Sequence, residues 1–215
     1  MKTSLSLLLA SLAACMAASC TTITPAPGDT APVTILVVRH AETDQSKPHL
    51  PLSAQGEKRA QVLEQTLRGV RFTHLVATHT VRARQMLDAI AAKQGLKVAQ
   101  LPAPGTTWQG ETVTDQTSRR APIEPVAEAL SKLPAGSVAL AALNSENIYA
   151  ILNKLGVPAA TAGQKCEPGA TCVPCLDNTC YPRNDFDHLW VIVTMPGAAK
   201  PISFTELRYG QGWKP

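Results

Sequence analysis

Aromatic residues are scarce in this chain, with three each of Phe, Trp and Tyr among 215 residues. A core must therefore be built from Ala, Leu, Val and Ile, which favours helices packed on a sheet over an all-β sandwich. An excess of one charge sign is missing as well. Lys and Arg number 20 against 16 Asp and Glu, a net charge of +4, and the basic residues are scattered rather than massed in a block. That pattern gives no electrostatic footprint for nucleic acid. The apolar stretch from Leu5 to Ala18 is too short for a convincing transmembrane span. What remains is a chain of one-domain length, long enough to bury a real core.

The N-terminus has the layout of an export signal: Lys2, the apolar stretch, then small residues around Cys15 and Cys20. Leu12-Ala13-Ala14-Cys15 resembles the bacterial lipobox, whose cysteine is lipidated and becomes the first residue of the mature protein. Ala17-Ala18-Ser19-Cys20 fits less well at its first position but gives a more ordinary signal length, and both cysteines stay open as the anchor. The expectation is a signal over residues 1–19 with cleavage before Cys15 or Cys20, a tether over 20–32 rich in Thr, Pro and Gly, and one domain over 33–215. Such a chain would be exported, a periplasmic or outer-membrane lipoprotein held to the membrane by its lipid.

The domain opens on Val33 to Glu42, VTILVVRHAE, a nearly continuous apolar run that ends abruptly in Arg39-His40. A short run rich in β-branched residues reads as a buried strand of a parallel sheet. The charged pair then stands at the strand's carboxyl end, the edge where open α/β sheets bind ligands. Neutral imidazole is a nucleophile near neutral pH and guanidinium grips phosphate oxygens in a fork, so the pair suits phosphoryl chemistry.

Two further strand ends fall in equivalent places. A strand over Phe72 to Thr78 runs into His79-Thr80-Val81-Arg82, and a helix continues to Lys93 with Gly95 as its stop, so Arg82 lies in a first helical turn. Another apolar strand, Ser137 to Leu143, ends in Asn144 before a helix stopped at Gly156. Between strand one and strand two, Ser53 is a natural N-cap for a helix reaching Leu67. A third strand is expected at Lys97 to Leu101, an irregular loop from Pro102 to Ser118, and a helix from Pro122 to Leu133. Strands alternating with helices imply parallel units wound on a central sheet, a three-layer α/β/α sandwich. The last pair, Leu189 to Met195 and Ile202 to Tyr209, is joined by Pro196-Gly197 and predicts an antiparallel edge.

With these residues placed, the chain resembles the histidine phosphatase superfamily, also called phosphoglycerate mutase-like. RHAE at 39–42 is similar to the family's RHG or RHA element, LSAQG at 52–56 to the LTxxG element, and ATHTVRARQM at 77–86 to the segment in which an arginine leads a helix. The close, DFDHLWVIV and ELRY, resembles that of small bacterial members. The resemblance implies a phosphomonoester hydrolase in which His40 becomes phosphorylated, Arg39 and Arg82 hold the non-bridging oxygens, and no metal or cofactor takes part. Its substrate would be a phosphorylated small molecule.

The fourth strand departs from the family. Members end it in Gly-His, where this chain has Leu143-Asn144, so Asn144 would offer an uncharged third donor and Leu143 would add bulk beside the phosphate. His79 is the candidate to replace the missing imidazole, and Glu111, in WQGE, is the candidate proton donor for the leaving group. His49 is expected to line the entrance, and His74 and His188 to be structural. A phosphatase weakened at Asn144 and a catalytically silent phosphatase-like binding or scaffold protein both remain open.

Between about 157 and 184 stands a segment without apolar periodicity, holding Cys166, Cys172, Cys175 and Cys180. In a cytosolic protein this spacing would suggest zinc; in an exported chain it predicts two disulfides, of any of the three pairings. The helix before it starts at the site edge and runs away from it. The segment is thus expected on the far face, as a stapled excursion or a surface for a protein partner.

Overall fold

The computed structural model describes residues 31–158, 172–174 and 180–210, with backbone alone at 172–174 and 180. The expected signal, the tether up to residue 30, Cys15 and Cys20, Cys166 and Cys175, and the side chains of Cys172 and Cys180 lie outside the described residues. No helix among the described residues is long and apolar enough to cross a membrane.

The elements, in chain order, are β1 (Val33–Arg39), α1 (Ala54–Thr66), β2 (His74–Thr78), α2 (Val81–Gln85), α3 (Asp88–Gln94), β3 (Val98–Leu101), β4 (Thr107–Trp108), β5 (Glu111–Thr112), α4 (Ile123–Ser131), β6 (Val138–Leu143), α5 (Ile148–Lys154), β7 (Cys172–Pro174), β8 (Cys180–Pro182), β9 (His188–Thr194) and β10 (Ser203–Arg208). One six-stranded sheet has the order β10-β9-β1-β6-β2-β3. Its β1, β6, β2 and β3 run parallel, and β9 runs antiparallel to both of its neighbours.

The period-2 alternation of side chains splits each central strand between two cores. Ile35, Val37, Ala139, Ala141 and Leu143 pack with α4 and α5 on one face. Leu36, Val38, Leu140 and Ala142 pack with α1, α2 and α3 on the other. This is the mixed α/β architecture expected, with helices covering both faces of a mostly parallel sheet. Leu143 is fully buried in the first of these cores. Contrary to the expectation, its bulk is spent on packing beneath the sheet edge, because its parity along β6 turns it toward α4 and α5.

The structure corrects two elements. The helix expected from Val81 to Lys93 is broken at 86–87, where Met86 and Leu87 are both fully buried. Neighbours in an unbroken helix point about 100° apart, and the turn lets both enter the same core. The other correction concerns the cysteine segment. The last strand pair forms the antiparallel edge expected, with β10 outermost and β9 paired to β1 in the register Val38↔Leu189. The start of β9 therefore sits beside the end of β1, and the chain leaving the cysteine segment arrives at the site edge rather than on the far face.

The short motifs hold one another. The Ser53 side chain accepts from Gly56 N at 3.2 Å and caps α1, while Ser53 N donates to Glu42 O at 2.9 Å. Arg59 of α1 makes a fork with the Glu42 carboxylate, Nε to Oε2 at 2.9 Å and Nη2 to Oε1 at 2.6 Å. Leu52 N donates to Gln85 Oε1 at 2.8 Å, which ties the second motif to the third. Gly56 is required by contact: a Cβ there would stand 2.2 Å from the Glu42 carbonyl oxygen. Gly56→Ala is expected to lower stability by about 1–3 kcal/mol, read as a shifted midpoint in urea with unchanged m, because backbone must move to admit the methyl.

Candidate active site

The carboxyl edges of β1, β6 and β2 bring the expected residues together. His40 follows β1 directly, and its N donates to Leu143 O of β6 at 2.9 Å. Asn144 follows β6 and is 1% exposed. Its Oδ1 accepts from Thr78 Oγ1 at 2.6 Å and from Thr80 Oγ1 at 3.1 Å, both at the end of β2. These two hydroxyls fix the amide with its NH2 away from them, and Nδ2 is buried without a hydrogen-bond partner. Sequence reasoning found Asn144 and missed the two threonines that orient it.

His40 is buried, with Nδ1 2.8 Å from the carbonyl oxygen of Ala41. A carbonyl can only accept, so Nδ1 carries the proton and Nε2 keeps its lone pair. Burial, and then the guanidinium groups of Arg39 and Arg82, hold its pKa well below the usual histidine value. The imidazole is therefore neutral, with its lone pair on Nε2. Because its folded pKa lies below the unfolded one, the unfolded chain binds the proton first. Its contribution to stability is thus complete above about pH 6.5 and declines as the pH falls below that. The His40 ring is expected to stay neutral in an NMR titration from pH 7.5 to 6, and the acid limb of kcat/KM, corrected for ionisation of the substrate, to fall below 6.5. A ring that titrates at 6.5 or above would contradict the buried, cation-flanked geometry.

Arg82 is 4% exposed, in the first turn of α2. Among the described residues no oxygen accepts from its guanidinium. Burial first, then Arg119, brings its pKa down to about 10, which leaves it charged at neutral pH. Arg39 is also 4% exposed, lowered to about 10 chiefly by burial. Its Nη1 is fully engaged, donating to the carbonyls of Pro182, Arg183 and Asp185 at 3.2, 2.9 and 2.8 Å. Its Nε is buried and has no partner. Buried donors are almost always satisfied. Among the described residues that break this rule, Arg39 Nε and Asn144 Nδ2 stand with the unpaired Arg82 at the strand ends near His40, while Tyr181 Oη and Trp190 Nε1 are buried without a hydrogen-bond partner in the core.

The loop after β3 contributes two residues that carry no local sequence signal. Asp115 Oδ1 accepts from Val81 N at 2.9 Å at the head of α2, and Oδ2 lies 2.9 Å from His49 Nδ1. Arg119, ion-paired with Glu146, lies close enough for its charge to bear on His40, His79 and Arg82. Glu111 is exposed on β5, and the carboxylate that reaches the head of α2 is Asp115 instead. His79 is 2% exposed, its ring nitrogens buried without a well-formed hydrogen bond beside the Thr117 backbone. It faces the loop that bears Asp115 and Arg119. Of the other histidines, His49 is exposed on the first loop, His74 opens β2, and His188 is buried at the start of β9.

Strand ends, a neutral imidazole, buried guanidinium groups and an unpaired amide donor define an α/β protein with anion-binding groups gathered at the carboxyl edge of its sheet. Residues 35–129 match the family model of the histidine phosphatase superfamily (branch 1). The matched segment, which runs from β1 through most of α4, is thus similar to the histidine phosphatase superfamily. Among solved structures it is similar to mycobacterial hydrolase 1, with 15% identity, a TM-score of 0.50, and coverage of 81% of this chain and 96% of that one. It is similar too to the phosphoserine phosphatase of Entamoeba histolytica in complex with 3-phosphoglyceric acid, with 16% identity, a TM-score of 0.49, and coverage of 80% and 96%. A mycobacterial glucosyl-3-phosphoglycerate phosphatase shows 16% identity, a TM-score of 0.46, and coverage of 74% and 89%. No curated protein matches the chain by sequence.

Proposed function

We propose that this protein is a metal-independent phosphomonoester hydrolase working through phospho-His40. The observation that carries the reading is the neutral His40, with Nδ1 tied to Ala41 O and Nε2 left as the nucleophile, among donors that no described residue satisfies. Nε2 attacks phosphorus, the ester P–O bond breaks, and the leaving oxygen takes a proton from water, which the hydrolysis step returns to solvent. Water then cleaves the P–N bond, releasing phosphate and restoring the neutral ring. Arg82 and the Nε edge of Arg39 stabilise the charge on the non-bridging oxygens, and Asn144 Nδ2 adds an uncharged hydrogen bond.

The test is turnover of an aryl phosphate in the presence of a chelator, with alkaline quenching to trap the base-stable, acid-labile phosphohistidine on His40. An aryl leaving group departs without a proton donor, so the assay does not depend on Glu111 or Asp115. Asn144, where the resemblance calls for an imidazole, favours a second reading, a phosphate-binding protein without turnover. Tight binding of inorganic phosphate with no hydrolysis and no trapped phosphohistidine would decide for it.

A further inference from the structure

We propose that Asp185, which does not face the pocket, is a positioning residue that aims Arg39; this inference rests on the phosphatase reading above. A guanidinium is planar, and Nη1 points away from the edge that carries Nε and Nη2. With Nη1 locked by the carbonyls of Pro182, Arg183 and Asp185, the opposite edge is presented as a fork. Rotation about the long side chain is blocked from the sides by the Phe186 ring, 4.1 Å from the guanidinium carbon, and the Tyr181 ring, 5.0 Å away.

The three carbonyls belong to the end of β8 and the irregular stretch after it, whose backbone has no ladder to fix it beyond Pro182. What fixes it is side-chain chemistry centred on Asp185. Its Oδ2 lies 2.8 Å from Nε2 of His188, and its Oδ1 accepts from Arg208 Nη1 at 3.0 Å. Arg208 Nη2 also donates to Oδ2 at 3.2 Å, and Arg208 Nη1 to Asp187 Oδ1 at 2.5 Å. His188, 1% exposed, is held from its other side by Glu206 of β10, Nδ1 to Oε1 at 2.5 Å. Tyr209 completes the fastening, its N donating to Asp187 O at 2.9 Å and its hydroxyl to Phe186 O at 3.0 Å. The β9–β10 hairpin thus grips the side chain of Asp185 and turns its carbonyl to Arg39.

A double-mutant cycle on the full chain tests this, using Asp185→Ala, Arg39→Ala, the double variant and the wild type. The readouts are kcat and KM for an aryl phosphate and the affinity for inorganic phosphate. Asp185→Ala is expected to lower kcat by about 10²-fold with a smaller change in KM, since misplacing a group by about 1 Å costs that much. In the Arg39→Ala background the same change should cost almost nothing, because the residue it acts through is gone. Asp185→Asn, which keeps an oxygen for Arg208, should recover most of the rate. Equal losses in both backgrounds, or no loss in either, would overturn the proposal. His188→Gln, a milder perturbation of the same grip, runs the same cycle if Asp185→Ala does not fold. A wild type that neither turns over nor binds phosphate would refute the phosphatase reading, and with it this inference. Wild-type turnover with an additive cycle would refute the inference alone.

Discussion

His40→Ala is expected to reduce turnover of an aryl phosphate by about 10⁴-fold or more, to the level of the uncatalysed reaction within detection, because it deletes the atom proposed to bond to phosphorus. The trapped phosphoenzyme should vanish with it. Stability should change little in the unfavourable direction, because the lost ring is a buried, desolvated base whose single described hydrogen bond runs to the adjacent Ala41 carbonyl. Affinity for inorganic phosphate should survive, since Arg82 and the free edge of Arg39 remain. This separation of turnover from binding is the sharpest consequence of the geometry. If His40→Ala retained the wild-type rate, the strand-end imidazole would not be the nucleophile, whatever its protonation state.

Substitutions at Asn144 should move the rate in both directions. Asn144→Ala removes the donor Nδ2 and takes the acceptor from the buried hydroxyls of Thr78 and Thr80. One preorganised donor typically contributes about 10²–10³ in rate, so kcat should fall by about 10² for a neutral amide. The two orphaned hydroxyls should lower stability by about 1–3 kcal/mol. Asn144→His should raise kcat by a similar factor of about 10²: a protonated ring can donate Nδ1–H to a threonine hydroxyl oxygen, which leaves Nε2–H as a charged donor in the place of the present NH2. Asn144→Asp should be the least active of the three, since it sets a second negative group beside the phosphate. Equal activity of the Ala, Asn and His forms would show that this wall of the pocket plays no part in the chemistry.

Much of the fold was legible because it rests on local patterns. The apolar runs that became β1, β2 and β6, the Ser53 cap and the Gly95 stop each depend on a few consecutive residues and a single physical rule. The site's four principal residues were legible for a related reason: each stands where an apolar strand runs out, and parallel strands place such ends on one edge. Asp115 and Arg119 were not legible. They lie in a loop without periodicity, and only the closure of that loop over α2 brings them to His40 and Arg82. Nor was the direction of Arg39. Its neighbours in the chain say that it stands beside His40, while the carbonyls that fix its orientation come from residues about 145 positions later.

By itself the sequence determined the strand–helix order, the two-faced cores and the set of groups able to handle an anion, because these follow from side-chain periodicity and residue chemistry. Only the tertiary structure decided that Leu143 packs away from the pocket, that Asn144 presents its NH2 rather than its oxygen, and that β9 lies against β1 and brings the end of the cysteine segment onto Arg39. Each of these is a matter of which distant groups meet. A buried donor or acceptor takes its orientation from the partner that satisfies it, and that partner is chosen by the packing of the whole sheet.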